Sequence, residues 1–154
     1  VIDADGLFYL TAEMLKSAKC PVLLTPHVGE AARLFNTTAD KLLKKPLFYV
    51  YNFVSLSGAT VLLKSDFCLA CSNDFAAKTH FGSCALATAG SGDVLAGICA
   101  ALAHRFGGNM LACSVHSAYI HGTAGKRAEQ KHGAYSTTAE EISKNIYFAI
   151  KQIN

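Results

Sequence analysis

The chain has 154 residues, 51% hydrophobic and 16% charged, with a formal net charge of +3 from 14 basic and 11 acidic side chains. That length suits one domain able to bury roughly 70% of its unfolded surface, and the composition excludes a disordered tail. No basic cluster interleaved with aromatics points to nucleic acid, and the most apolar long window, Cys84 to Leu102, is broken by Gly90, Gly92, Asp93 and Gly97, against a membrane span.

Taken in order, "VIDADGL" reads as a short buried strand ending in acids and a glycine, and "TAEMLKSA" as a brief helix. The strand has no initiator Met before it, so the chain is expected to be a piece of something longer. "CPVLLTPHVGEAARLF" repeats the scheme: Val22 to Thr25 is a buried strand, Pro26 breaks it, and Gly29 to Phe35 continues as a helix with Glu30 in its first turn. "TTADKLLKK" looks helical, whereas "LFYVYNFV" fits helix or strand by periodicity alone. "GATVLLK" and "FCLACSN" read as strands forming a hairpin or consecutive edge strands, and "NDFAAKTHFGS" carries turn chemistry.

From Asp93 the pattern turns helical, with Val94, Leu95, Ile98, Leu102 and Phe106 at helical spacing until Gly107-Gly108. Asn109 is expected to cap a long core helix ending near Gly133. Thr138 to Glu141 matches a capping box opening one helix to about Lys151. Alternating short strands and helices predict a three-layer α/β/α sheet protein with one domain over residues 1–154, and in such sheets ligands sit at the carboxyl ends of strands.

The unusual residues fall at such ends. Gly90, Ser91 and Gly92 precede a helix whose first amides lack internal partners, a natural seat for a phosphate. Asp93 at that helix start reads either as an ordinary N-terminal acid or as a carboxylate placed to take a proton from a hydroxyl attacking phosphorus. Asp3 and Asp5 read as loop acids or as groups near a metal or substrate. Cys68 and Cys71 have zinc-like spacing, but on a strand they face opposite sides, so no metal ligands are expected. The six cysteines lack the spacing of a disulfide framework, which predicts free thiols and a cytoplasmic setting. His116 and His121, five apart on a helix, read as core or subunit-contact residues.

"LATAGSGDVLAGICAAL" resembles the most specific motif of the ADP- or ATP-dependent NAD(P)H-hydrate dehydratases, a branch of the ribokinase-like superfamily. "VIDADGL", "LTPHVGEAARLF" and "YIHGTAG" are similar to that family's other landmarks, in the same order. The resemblance implies the carboxyl-terminal portion of a ribokinase-like domain with a mostly parallel sheet, its amino-terminal strands lying before Val1.

It also implies a reaction: ADP or ATP, with Mg2+, phosphorylates the hydroxyl of hydrated NAD(P)H, and phosphate then leaves to restore the double bond. Asp93 would be the catalytic base and contact the substrate, as would His27, with Glu30 supporting its loop. Lys64, Ser65, Asp66, Phe67 and Cys68, together with Gly90, Ser91 and Gly92, would bind the nucleotide. The implied partners are the hydrate and the adenine nucleotide, with a homo-oligomer expected and an epimerase domain fused upstream in some relatives.

Three positions depart from the family pattern. Ser65 stands where glycine is usual, Phe8 where asparagine is usual, and "THFGSC" differs from the usual lead-in to the glycine loop. Two further readings therefore stay open at this point: a kinase of the same superfamily acting on a sugar or vitamin precursor, and a noncatalytic nucleotide-binding module.

Overall fold

The computed structural model describes residues 1–153. After a short extended segment and a tight helical turn over Ala4–Leu7, helix α1 (Ala12–Lys16) opens at Thr11, whose hydroxyl accepts from the Met14 amide. Strand β1 (Leu23–Leu24) leads into α2 (Val28–Leu34), α3 (Ala39–Lys44) and α4 (Pro46–Ser57). The ambiguous "LFYVYNFV" is thus helical. Pro46 takes the first helical position, where its missing N–H costs nothing, and Gly58 ends the element.

Strands β2 (Thr60–Lys64), β3 (Cys68–Cys71) and β4 (Ala76–Thr79) complete a sheet in the order β1-β2-β3-β4. Only β1 and β2 pair in parallel, while β2–β3 and β3–β4 are antiparallel, so the mostly parallel sheet expected from the sequence is corrected to a mixed one. Connection length is the reason. Residues 65–67 and 72–75 suffice for hairpins, whereas a parallel crossover needs about a dozen residues or more. Two isolated parallel bridges, Ile2 to Leu24 and His27 to Lys64, extend the parallel side. The segment read as turn is irregular at both ends, with the Ser72 amide donating to the Phe75 carbonyl at 2.8 Å at its start and a loop from His80 on, while its middle is β4, paired along β3.

The period-two alternation of the strands builds two cores. Val61, Leu63, Leu69 and Cys71 face Leu42, Val50 and Val54 of α3 and α4. Leu62 and Ala70 face the other way, toward the long helices α5 (Ser91–Arg105) and α6 (Met110–His132), where Leu95, Cys99, Cys113 and Ala118 meet them. Complete burial of a side chain such as Leu62 or Leu63 stabilises the fold by about 2 kcal/mol. The three layers expected are therefore present. Asn109 caps α6, its Oδ1 accepting from the Ala112 amide at 3.0 Å.

The last helix is two. Helix α7 (Ala139–Lys144) and helix α8 (Ile146–Lys151) meet at Asn145, which is almost fully buried. Its Nδ2 donates to the Glu141 carbonyl at 2.7 Å, and its Oδ1 accepts from Lys131 Nζ at 3.0 Å. A side chain that takes a helical carbonyl competes with the main chain for it and interrupts the ladder. All six cysteines are free, with Cys68 and Cys71 on opposite faces of β3. No helix among the described residues is long and apolar enough to cross a membrane.

Candidate active site

One strand-to-helix junction, one loop-to-helix junction and the end of β2 meet on one rim of the sheet. At the first junction His27 caps α2. Its Nδ1 accepts from the amides of Gly29 (3.0 Å) and Glu30 (3.3 Å), and Glu30 Oε2 accepts in return from the His27 amide (2.8 Å). A histidine thus fills the place usually taken by serine or threonine in a capping box. The other Glu30 oxygen lies 3.3 Å from His27 Nε2, which holds the ring while 60% of the side chain stays exposed.

The second junction is open. Gly90 precedes α5 at φ +82, a backbone angle that suits glycine, and no side chain caps the helix. The Ser91 amide donates to the Thr88 carbonyl at 3.2 Å, but among the described residues the amides of Gly92 and Asp93 have no acceptor. Unpartnered donors and the positive end of the helix dipole coincide there. Asp93 is exposed in the first turn, and its Oδ2 lies 4.0 Å from where a Cβ on Gly90 would stand, so the carboxylate sits beside the glycine turn rather than walled off behind it.

Lys64 ties the junctions together. Its amide donates to the Pro26 carbonyl at 2.8 Å, alongside the bridge to His27, and its Nζ donates to Asp3 Oδ1 at 2.8 Å with both side chains largely buried. A Cβ on Gly92 would lie 3.4 Å from that Nζ and 3.8 Å from Asp3 Oδ2, so the open helix start faces the ion pair directly. Asp3, read from the sequence only as a loop acid or a group near metal or substrate, is the counter-ion of Lys64. Sixty-one residues separate the two, and no local pattern signals the contact.

Lys64 and the rim around it border a cleft of about 830 Å3, which Asp3 reaches only through Lys64. Of the candidate residues, His27, Lys64, Ser65, Asp66, Phe67, Cys68, Ser91 and Gly92 all border it. Gly90 and Asp93 belong to the same helix start without lining it, and Glu30 reaches it only through His27. The far wall is the loop from His80 to Thr88, which sequence reading did not assign to the site. Its signal was the small-residue run in α6. A Cβ on Gly122 would stand 2.5 Å from the Phe81 carbonyl oxygen, so the loop lies flat on that helix only because glycine is there.

Two cleft groups are shifted by burial. His121, read as a core or subunit-contact residue, is core and also borders the cleft; desolvation, offset in part by a hydrogen bond to Ser91 and reinforced by Lys64, lowers its pKa from 6.5 to about 4. The Cys68 thiol is pushed up by burial, against the pull of Lys64, so it stays protonated at neutral pH. His116 instead points away, stacked on Phe106 with Nδ1 on the Ala112 carbonyl.

No group of three or more His, Cys, Asp or Glu suited to a metal ion occurs among the described residues. Mg2+ requires none, because with a phosphate ligand it takes only one or two carboxylates and completes its shell with phosphate oxygens and water. The Asp3 oxygen turned toward Gly92 has the right donor chemistry for that role.

Comparison with known proteins gives one family. The family model described as NAD(P)H-hydrate dehydratase matches residues 1–147. A bifunctional NAD(P)H-hydrate repair enzyme from Moorella thermoacetica is 33% identical over 99% of this chain and 29% of its own length. An ADP-dependent (S)-NAD(P)H-hydrate dehydratase from Neisseria meningitidis is 37% identical over 93% of this chain and 50% of its own. The structure of the ADP/ATP-dependent NAD(P)H-hydrate dehydratase from Bacillus subtilis, co-crystallised with ATP/Mg2+, superposes with a TM-score of 0.82 at 26% identity, over 99% of this chain and 54% of that one. The chain thus spans half or less of the length of these curated relatives. By a match that runs over residues 1–147, with the glycine turn, the capping histidine and the largely buried lysine on one rim, the chain belongs to the NAD(P)H-hydrate dehydratase family.

Proposed function

We propose that the protein carries out nucleotide-dependent dehydration of (S)-NAD(P)H hydrate to NAD(P)H through a phosphorylated intermediate. The observation that carries this reading is the meeting of the uncapped start of α5, with Asp93 in its first turn, and the paired Lys64 in a cleft that His27 borders. In the first step the hydroxyl oxygen of the hydrated ring attacks the terminal phosphorus of ADP or ATP. Asp93 takes the hydroxyl proton, and the bond from phosphorus to the leaving nucleotide oxygen breaks. The amides of Gly92 and Asp93 and the ammonium of Lys64 face the charge that grows on the migrating group. In the second step the C–O bond breaks with its electrons leaving on phosphate, the neighbouring carbon gives its proton to the departing phosphate, and the freed C–H electrons form the double bond.

Ser65, Asp66, Phe67 and Cys68 form the tip of the β2–β3 hairpin and the side of the cleft suited to the rest of the nucleotide, with Gly90 and Ser91 setting its phosphate end. His27, held by Glu30, contacts the hydrated ring. Asp3 would hold Mg2+, which supplies charge neutralisation on the phosphates when bound.

Since the chain spans about half the Neisseria relative, we read it as the carboxyl-terminal portion of one domain. The remaining finer readings are a homo-oligomer and an epimerase unit fused upstream, both resting on the family resemblance, and a cytoplasmic setting, to which the free thiols are suited.

The test is direct: the intact protein should restore the NAD(P)H absorbance from hydrate only with ADP or ATP, releasing phosphate. Asp93→Asn should lower turnover by about a thousandfold or more with thermal stability unchanged, because the side chain is exposed and the loss is confined to proton transfer. A stable phosphorylated product from an alcohol panel, with no reaction of the hydrate, would instead make the protein a kinase.

A further inference from the structure

His121 has no part in the chemistry above, yet it stands directly beneath the phosphate seat. It is 7% exposed on α6, and its Nε2 lies 3.0 Å from the hydroxyl of Ser91, itself 4% exposed and the first residue of α5. That hydroxyl does not cap its own helix, since no side chain does. It is spent on the histidine instead.

We propose that His121 is the positioning residue of the phosphate seat: through Ser91 it fixes the rotation of the first turn of α5, and with it the aim of the Gly92 and Asp93 amides into the cleft. The inference rests on the functional reading above and names a residue that acts through another rather than on the substrate.

Three observations support it. First, the anchor is rigid. Helix α6 runs from Met110 to His132 and packs against the sheet, α5 and α8, so a contact from its middle transmits little play. Second, the same turn of α6 sets the opposite wall. Gly122 lies against the backbone of Phe81, and Gly125 leaves room for Leu86, whose side chain occupies the space any added Cβ would need. One stretch of helix therefore fixes both sides of the cleft, the floor through a hydrogen bond and the wall through close approach. Third, the histidine adds no charge near pH 7, because burial holds its pKa near 4. The field at the seat is then set by the helix dipole, the Lys64–Asp3 pair and Asp93, and Ser91 is held by a neutral hydrogen bond.

The test is a double-mutant cycle in the intact protein, with ADP binding measured by calorimetry, the KM for the hydrate by turnover, and thermal midpoints alongside. Ser91→Ala and His121→Leu should each weaken ADP binding about tenfold, the double variant no more than the worse single, since both remove the same bond. His121→Gln, whose terminal amide can offer the same hydrogen bond, should return to within about threefold of wild type. The KM for the hydrate should stay unchanged throughout, because His27 keeps its own support.

A histidine that merely fills the core would lower the midpoint of His121→Leu and leave ADP binding of the folded protein unaltered; that result, or additive losses in the double variant, overturns the inference. Should His121→Leu fail to fold, Ser91→Ala and His121→Gln carry the test, and unchanged binding in Ser91→Ala overturns it. Wild-type protein that binds neither ADP nor ATP would overturn the functional reading as well, a result distinct from normal wild-type binding with no response to the variants.

Discussion

Helices α2 and α5 start on the same rim, and a histidine touches each start, His27 from the preceding residue and His121 from α6, but the two ends are finished in opposite ways. At α2 the histidine is exposed and spends its Nδ1 on the helix, so the amides are satisfied and the ring edge is presented outward. At α5 the histidine is buried and spends its Nε2 on Ser91, so the amides stay unsatisfied and the ring is hidden. A helix start can therefore display a side chain or display its own backbone, and which it does is decided by whether the cap comes from within. The first arrangement suits contact with an uncharged ring, the second an anion.

The contrast can be broken most forcefully by acid. The buried His121 has a pKa of about 4 when folded against 6.5 when free, so as pH falls the unfolded chain takes up the proton first. Its contribution to stability is complete above about 6.5, is lost progressively as pH falls toward 4, and amounts to up to about 3 kcal/mol. Denaturant titrations between pH 7 and pH 4 should show this loss in wild type and a flatter profile in His121→Gln.

Next in size is a methyl group at the open end. Gly92→Ala places a Cβ over Lys64 and the two free amides, and should weaken nucleotide binding and turnover together by about a hundredfold while stability hardly moves, as alanine is at home in a helix. The smallest effect belongs to the closed end. Glu30→Ala removes one half of the capping box, which should cost about 1 kcal/mol of stability and raise the KM for the hydrate a few-fold, with ADP binding untouched. A variant at one end that disturbed the ligand assigned to the other would collapse the distinction.

Both helix starts were legible in short patterns, Pro26 and Glu30 in "TPHVGE" and the glycines of "AGSGD", whereas the capping role of His27 and the hold of His121 on Ser91 were not. The apolar runs in "GATVLLK" and "FCLACSN" likewise read as strands, although their burial on both faces shows only in the fold. What escaped depended on long-range contacts. Ala76 to Thr79 contains only one β-branched residue and becomes a strand by pairing with β3. The break at Asn145 needs Lys131 from another helix, and the sheet is mixed because hairpin connections override the parallel expectation. In the site, His121 could not be assigned because its partner lies thirty residues away across the helix pair, and Asp3 because its own lies farther still.

The ion pair between Asp3 and Lys64 has a consequence for the order of assembly. The meander of β2, β3 and β4 is contiguous in sequence, and hairpins of this kind form in about 1–10 μs, so the ammonium reaches its place early. Its counter-ion arrives only when the first residues dock beside β1, a closure over a much longer stretch of chain that comes later. Undocking of the first residues would therefore strip Lys64 of its counter-ion, so the charge of the cleft depends on how firmly Asp3 is held beside β1.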